Sequence, residues 1–144
     1  MKKIPTLKAA MTPFPYSVEL ESPLTTASNM MQEHDIHHLP VMDGNKIFGV
    51  ITQKDINAIQ KLMLDRDSDE VLQIRHAYIS KPYIVDINEP LEKVLLTMAY
   101  EHIGAVVITK HEKLVGVFTY IDACRFFGEY IKTRFPSDTG NDVA

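Results

Sequence analysis

Two aspartates, each three residues after a threonine, carry the strongest chemical signal in this sequence: Thr52-Gln53-Lys54-Asp55 and Thr119-Tyr120-Ile121-Asp122. Two chemistries fit a Thr-x-x-Asp tetrad. One is a helix capping box, in which threonine and acid satisfy each other's free backbone amides. The other is a sugar-phosphate site. An ionised carboxylate accepts hydrogen bonds from both hydroxyls of a ribose cis-diol, and a threonine hydroxyl with helix-terminal amides meets a phosphate. Gly49 and Gly116 stand three residues before the two tetrads. Without side chains they permit close approach, of a ligand or of another strand. A second cluster is His34-Asp35-Ile36-His37-His38. Imidazoles suit zinc or nickel, but the ligand set is incomplete; the plainer reading is a polar bend between a helix and a strand. Pro15-Tyr16 and Pro82-Tyr83 each offer a ring that stacks on a base or lines the edge of a core.

These residues recur because the chain repeats itself. A shift of 67 residues lays Pro15-Tyr16 on Pro82-Tyr83, Val18 on Val85, Pro23-Leu24 on Pro90-Leu91 and Met31 on Met98. It lays Lys46 on Lys113, Gly49-Val50 on Gly116-Val117, Thr52 on Thr119 and Asp55 on Asp122, with no gap. Each copy reads as β-α-β-β-α. Alternating residues predict strands at 16–20 and 83–87. Pro23 and Pro90 then open helices over 24–33 and 91–100, with an apolar stripe such as Leu24, Ala27, Met31 and Leu91, Val94, Met98. Apolar runs at 39–42 and 105–108 predict buried strands. Turns at Asp43-Gly44-Asn45 and Lys110-His111-Glu112 lead to return strands at 47–51 and 114–118. Thr52 and Thr119 then open the second helices.

Composition sets outer limits. The chain has 144 residues, 45% of them hydrophobic, a net charge of −4 and one cysteine. One copy is too small to bury much core alone, so two copies packed sheet to sheet are expected to share one. A single cysteine forms no internal disulfide, which favours a cytoplasmic setting. The acidic balance disfavours nucleic acid, and no apolar run is long enough to span a bilayer. No nucleophile–base pair stands out, so an enzyme is not expected; the competing enzyme reading is a metal-dependent hydrolase using His34, His37 and His38. The expected division is copy one at 7–60, a helix end and polar linker at 61–73, copy two at 74–130, and a tail at 131–144, frayed from Pro136.

The strings Leu39-Pro40-Val41-Met42-Asp43 and Gly49-Val50-Ile51-Thr52-Gln53-Lys54-Asp55-Ile56 resemble the signature of a cystathionine-β-synthase (CBS) domain. The second copy repeats it as Ala105-Val106-Val107-Ile108 and Gly116-Val117-Phe118-Thr119-Tyr120-Ile121-Asp122-Ala123, with Val107 in place of the proline. The resemblance spans residues 7–128 and implies a free-standing tandem pair of pseudo-two-fold symmetry, an α/β (α+β) fold. It implies a regulatory module that binds AMP, ADP, ATP or S-adenosylmethionine between the copies, with no required cofactor. It implies a homodimer formed through helices and a separate protein that receives the signal.

By resemblance, Thr52/Asp55 and Thr119/Asp122 hold ribose and phosphate. The backbone at Ile36 and Ile103 meets adenine, and His37, His38, Gly104 and Ala105 approach phosphates. Tyr83-Ile84 crosses to the Asp55 site and Pro15-Tyr16 to the Asp122 site. On this scheme His37, His38 and Lys54 make the Asp55 site the phosphate-preferring one, and no basic group stands at the Asp122 site.

Overall fold

The computed structural model describes residues 4–13, 16–64 and 71–136. Pro15, the polar linker at 65–70 and the tail from 137 lie outside the described residues. The first half holds β2 (Val18–Glu19), α2 (Leu24–His34), β3 (His38–Asp43), β4 (Lys46–Thr52) and α3 (Gln53–Met63). The second holds β5 (Ile84–Asp86), α4 (Leu91–Glu101), β6 (Ala105–Lys110), β7 (Lys113–Thr119) and α5 (Tyr120–Arg134). This is the predicted β-α-β-β-α twice over. Each first strand is shorter than the alternation predicts. Pro23 and Pro90 stand at the N-caps of their helices rather than inside the first turn. α5 continues to Arg134, into the segment expected as tail.

The two sheets differ by one strand. The first has the order β2-β3-β4. The second has the order β1-β7-β6-β5, where β1 (Thr12–Pro13) comes from the start of the chain. The two halves thus exchange their leading segments. Leu7 and Ala10 of α1 (Leu7–Ala10) are buried in the second core, around Phe118, Val94 and Ile108. Residues 72–79, with a 3-10 turn at Ile74–His76, pack on the first core around Leu39, Val41 and Ile51.

Strand periodicity separates the cores from the seam between them. Leu39 and Val41 point to the first core, and Val106 and Ile108 to the second. Pro40, Val50, Val107 and Val117 are equally buried but belong to neither cluster. They occupy the opposite faces of β3, β4, β6 and β7, where the two sheets pack together. Strands buried on both faces read as continuous apolar runs, which is why 39–42 and 105–108 show no alternation.

Each hairpin carries a bulge at the same place. Val41 pairs with Gly49 and Met42 with Ile47; Ile108 pairs with Gly116 and Thr109 with Leu114. At the bulge glycines the exchanged segments lie against the sheet. Val50 and Ser80 exchange backbone hydrogen bonds of 3.1 and 3.0 Å beside Gly49, and a Cβ at Gly49 would overlap the Ser80 carbonyl oxygen. A Cβ at Gly116 would lie 2.6 Å from Met11 Sδ, the end of a flexible side chain that can turn aside. Gly49→Ala is therefore expected to cost about 1–3 kcal/mol by overpacking, more than Gly116→Ala. Urea denaturation of the two variants checks this; equal midpoints would contradict it.

Candidate functional site

Each half positions its site by the same local chemistry. α2 ends at Asp35, with φ +50°, and α4 at His102, with φ +56°. Left-handed residues close these helices, and the next amides, of Ile36 and Ile103, donate 3.0 Å bonds back to Met31 O and Met98 O. The chain then turns into β3 or β6, bringing Ile36-His37-His38 and Ile103-Gly104-Ala105 beside the helix starts. His38 pairs with Thr52 and Ala105 with Thr119 across the strands. Gln53 N donates to His37 O (3.1 Å) and Tyr120 N to Gly104 O (3.3 Å). The two bends meet at the midline, where His38 Nε2 lies 3.7 Å from the position a Gly104 Cβ would occupy.

Both Thr-x-x-Asp tetrads form complete capping boxes. Asp55 Oδ2 accepts from Thr52 N (2.9 Å) and Thr52 Oγ1 (2.7 Å). Asp122 Oδ2 accepts from Thr119 N (2.9 Å) and Thr119 Oγ1 (3.2 Å). The cap takes one carboxylate oxygen only, so capping leaves the other available for a second task. At Asp122 that oxygen, Oδ1, accepts 2.9 Å from Thr12 Oγ1 on the exchanged strand and lies 3.6 Å from Arg125 Nη1. Asp122 is 7% exposed and is the buried charged residue of the described chain.

Asp122 and Thr119 open onto a cavity of about 550 Å³, a size that suits a small ligand. Thr12, Pro13 and Tyr16 of the exchanged segment line it, with Ile36, His37 and His38 of the first bend, and Ile121 and Arg125 of α5. Tyr16 stacks on His34 there, ring centroids 3.8 Å apart and planes 10° from parallel. The cavity thus combines a ring face, an acid with an oxygen outside its cap, and basic side chains. The expectation of no basic group at Asp122 is corrected: Arg125 lies one helical turn further along the same face of α5 and lines the cavity. The two histidines expected at Asp55 line the Asp122 cavity.

The remaining residues lie around Asp55 or in the second half. Lys54 is exposed on the first turn of α3. Tyr83 packs on the second core, its carbonyl accepting from Val107 N at 2.9 Å, and Ile84 is 44% exposed on β5. Ile103 packs on the second core, and Gly104 and Ala105 are half-buried. Among the lining residues that sequence reasoning missed, Thr12 and Arg125 are the two whose side chains approach the Asp122 carboxylate. Among the described residues no group of three or more His, Cys, Asp or Glu side chains is placed to hold a metal ion. No helix among them is long and apolar enough to cross a membrane.

The family model for the CBS domain matches residues 7–61 and 74–129. The chain belongs to the CBS-domain family, as a tandem pair. This CBS pair is 31% identical over 113 residues to Hypoxic response protein 1 of Mycobacterium tuberculosis, the match covering 78% of each chain. Solved structures that share its fold include two CBS pairs with bound adenosine compounds. The CBS domain pair of protein MJ0100, in complex with 5′-methylthioadenosine and S-adenosyl-L-methionine, superposes with a TM-score of 0.72 at 23% identity, covering 86% of this chain and 100% of that one. CBSX2 in complex with AMP superposes with a TM-score of 0.66 at 22% identity, covering 87% and 97%.

Burial lowers the His38 pKa, and the neighbouring His37 lowers it further; the charge of Asp55 opposes both. A histidine depressed in the folded state binds fewer protons there than in the unfolded chain. Its stabilising contribution is complete above the ordinary histidine value of about 6.5 and is lost as pH falls below it. The stability of the CBS pair between about pH 7.5 and pH 5.5 should therefore fall more steeply than that of His38→Gln. Parallel urea titrations read this, and equal acid slopes would contradict it.

Proposed function

We propose that this CBS pair binds an adenosine compound, of the class of AMP, ADP, ATP or S-adenosylmethionine, in the cleft between its halves and acts as a sensor. One observation carries the reading: a buried carboxylate that lines a cavity faced by a tyrosine ring spends one oxygen on its helix cap and gives the other to a single hydroxyl, Thr12 Oγ1, on the exchanged strand. A ribose diol would take Asp122 Oδ1, the base would stack on Tyr16 in place of His34, and the bend at Ile36 would border the base. Thr52 and Asp55 repeat the cap at the other helix start, so a second, related site there is part of the proposal. On the resemblance, Thr52 and Asp55 would hold the ligand of that site, with His37, His38 and Lys54 beside its phosphate and Tyr83-Ile84 beside its base, while Ile103, Gly104 and Ala105 would belong to the Asp122 site. The adenosine ligands of the MJ0100 pair and of CBSX2 support the ligand class.

The same geometry suggests how binding is reported. The diol and the Thr12 hydroxyl compete for one oxygen, so a bound ligand loosens the hold of Asp122 on β1 and, with it, on the exchanged segment. The shift is limited to the ligand's differential affinity for the two arrangements. A separate protein would receive it. A second copy of the chain completes the reading: α4 leaves Leu96 and Tyr100 exposed and α5 leaves Phe127 and Ile131 exposed, apolar faces suited to a homodimer. Light scattering should give twice the chain mass, and Phe127→Asp should shift it toward one chain; a wild-type monomer would contradict the dimer.

The Thr12–Asp122 bond also favours a second reading, a ligand-free scaffold whose halves are stitched by that contact. Titration calorimetry with adenosine, AMP, ATP and S-adenosylmethionine separates the two. A sensor gives saturable heat with at least one compound. Asp122→Asn, which keeps an acceptor for the cap, should weaken it about 10–100-fold, the value of hydrogen bonds to a charged group. Silence across all four compounds would favour the scaffold.

A further inference from the structure

Resting on the adenosine reading, we infer that Arg125 makes the Asp122 cavity select adenosine compounds that carry an anionic 5′ group over neutral ones. A guanidinium presents five N–H donors in a planar fork. In the structure one nitrogen, Nη1, approaches Asp122 Oδ1, at 3.6 Å, beyond hydrogen-bond range, and the side chain is 60% exposed. The contact is monodentate and loose, although an arginine that served only to neutralise a buried acid would be expected to grip it with both arms. Asp122 does not depend on it, since Thr119 N, Thr119 Oγ1 and Thr12 Oγ1 already donate to the carboxylate.

The neighbourhood favours an anion. His37 and His38 line the same cavity as Arg125. The acids that face it are Asp122 itself, engaged by its donors, and Asp35, whose side chain is 98% exposed and lies 4.0 Å from His37. When a diol occupies Asp122 Oδ1, the guanidinium keeps its fork free for an anion held on the same ligand. A phosphate or a carboxylate satisfies that geometry, and a neutral thioether or hydroxyl does not. The helix carries the residue three positions after Asp122, so diol acceptor and anion donor are fixed on one rigid element.

Calorimetric titration of the full chain with adenosine and with AMP, in wild type, Arg125→Gln and Arg125→Lys, tests this. The expected result is AMP tighter than adenosine in wild type. The ratio should fall about tenfold in Arg125→Gln, AMP losing more affinity than adenosine, and be partly retained in Arg125→Lys, which keeps the charge without the fork. Circular dichroism of each variant at the titration temperature confirms folding. Binding of both compounds with a ratio untouched by Arg125→Gln would overturn the inference alone. Absence of binding by both in wild type would overturn the cleft reading and the inference with it.

Discussion

A carboxylate removed from water must be met by hydrogen-bond donors or it destabilises the fold by several kcal/mol. At Asp122 those donors come from two distant parts of the chain: Thr119 at the start of the same helix, and Thr12, 110 residues before Asp122, on a two-residue strand near the N-terminus. The first makes the acid a helix cap. The second ties the leading segment of one half to the last helix of the other. The site, the exchange of segments and the seam between the sheets all converge on that one side chain.

Duplication explains why the two halves are alike, and small differences explain why they need not act alike. The left-handed residues at 35 and 102, the bulges opposite Gly49 and Gly116, and both capping boxes recur at the same offset. The side chains around them do not. The first bend carries two histidines and the second a glycine and an alanine; α5 carries Arg125 where α3 carries Ala58. The scaffold preserves backbone geometry at both helix starts while charge and ring faces are redistributed between them.

Most of the fold was legible because it is written twice. A 67-residue offset kept across both copies identified element order, the buried strands and the capping boxes. The exchanged segments were less legible, since nothing local to Leu7 or Ile74 says which half receives them. Their placement is decided by packing at Gly49, Gly116 and the two cores. Thr12 could not be found from sequence, because its partner lies in the other copy. Arg125 could have been: three residues after an acid on a helix is a spacing that brings side chains together. The resemblance places phosphate at the bends, away from that position on the helix.

The central claim is that Asp122 keeps one oxygen for the helix and offers the other to a sugar. A crystal structure of the chain grown with AMP addresses it directly. The account predicts ribose hydroxyls within hydrogen-bond distance of Asp122 Oδ1, the capping bonds of Oδ2 intact, and the base against Tyr16. A nucleotide bound elsewhere with the Thr12–Asp122 bond undisturbed, or an empty cavity at saturating AMP, would contradict it.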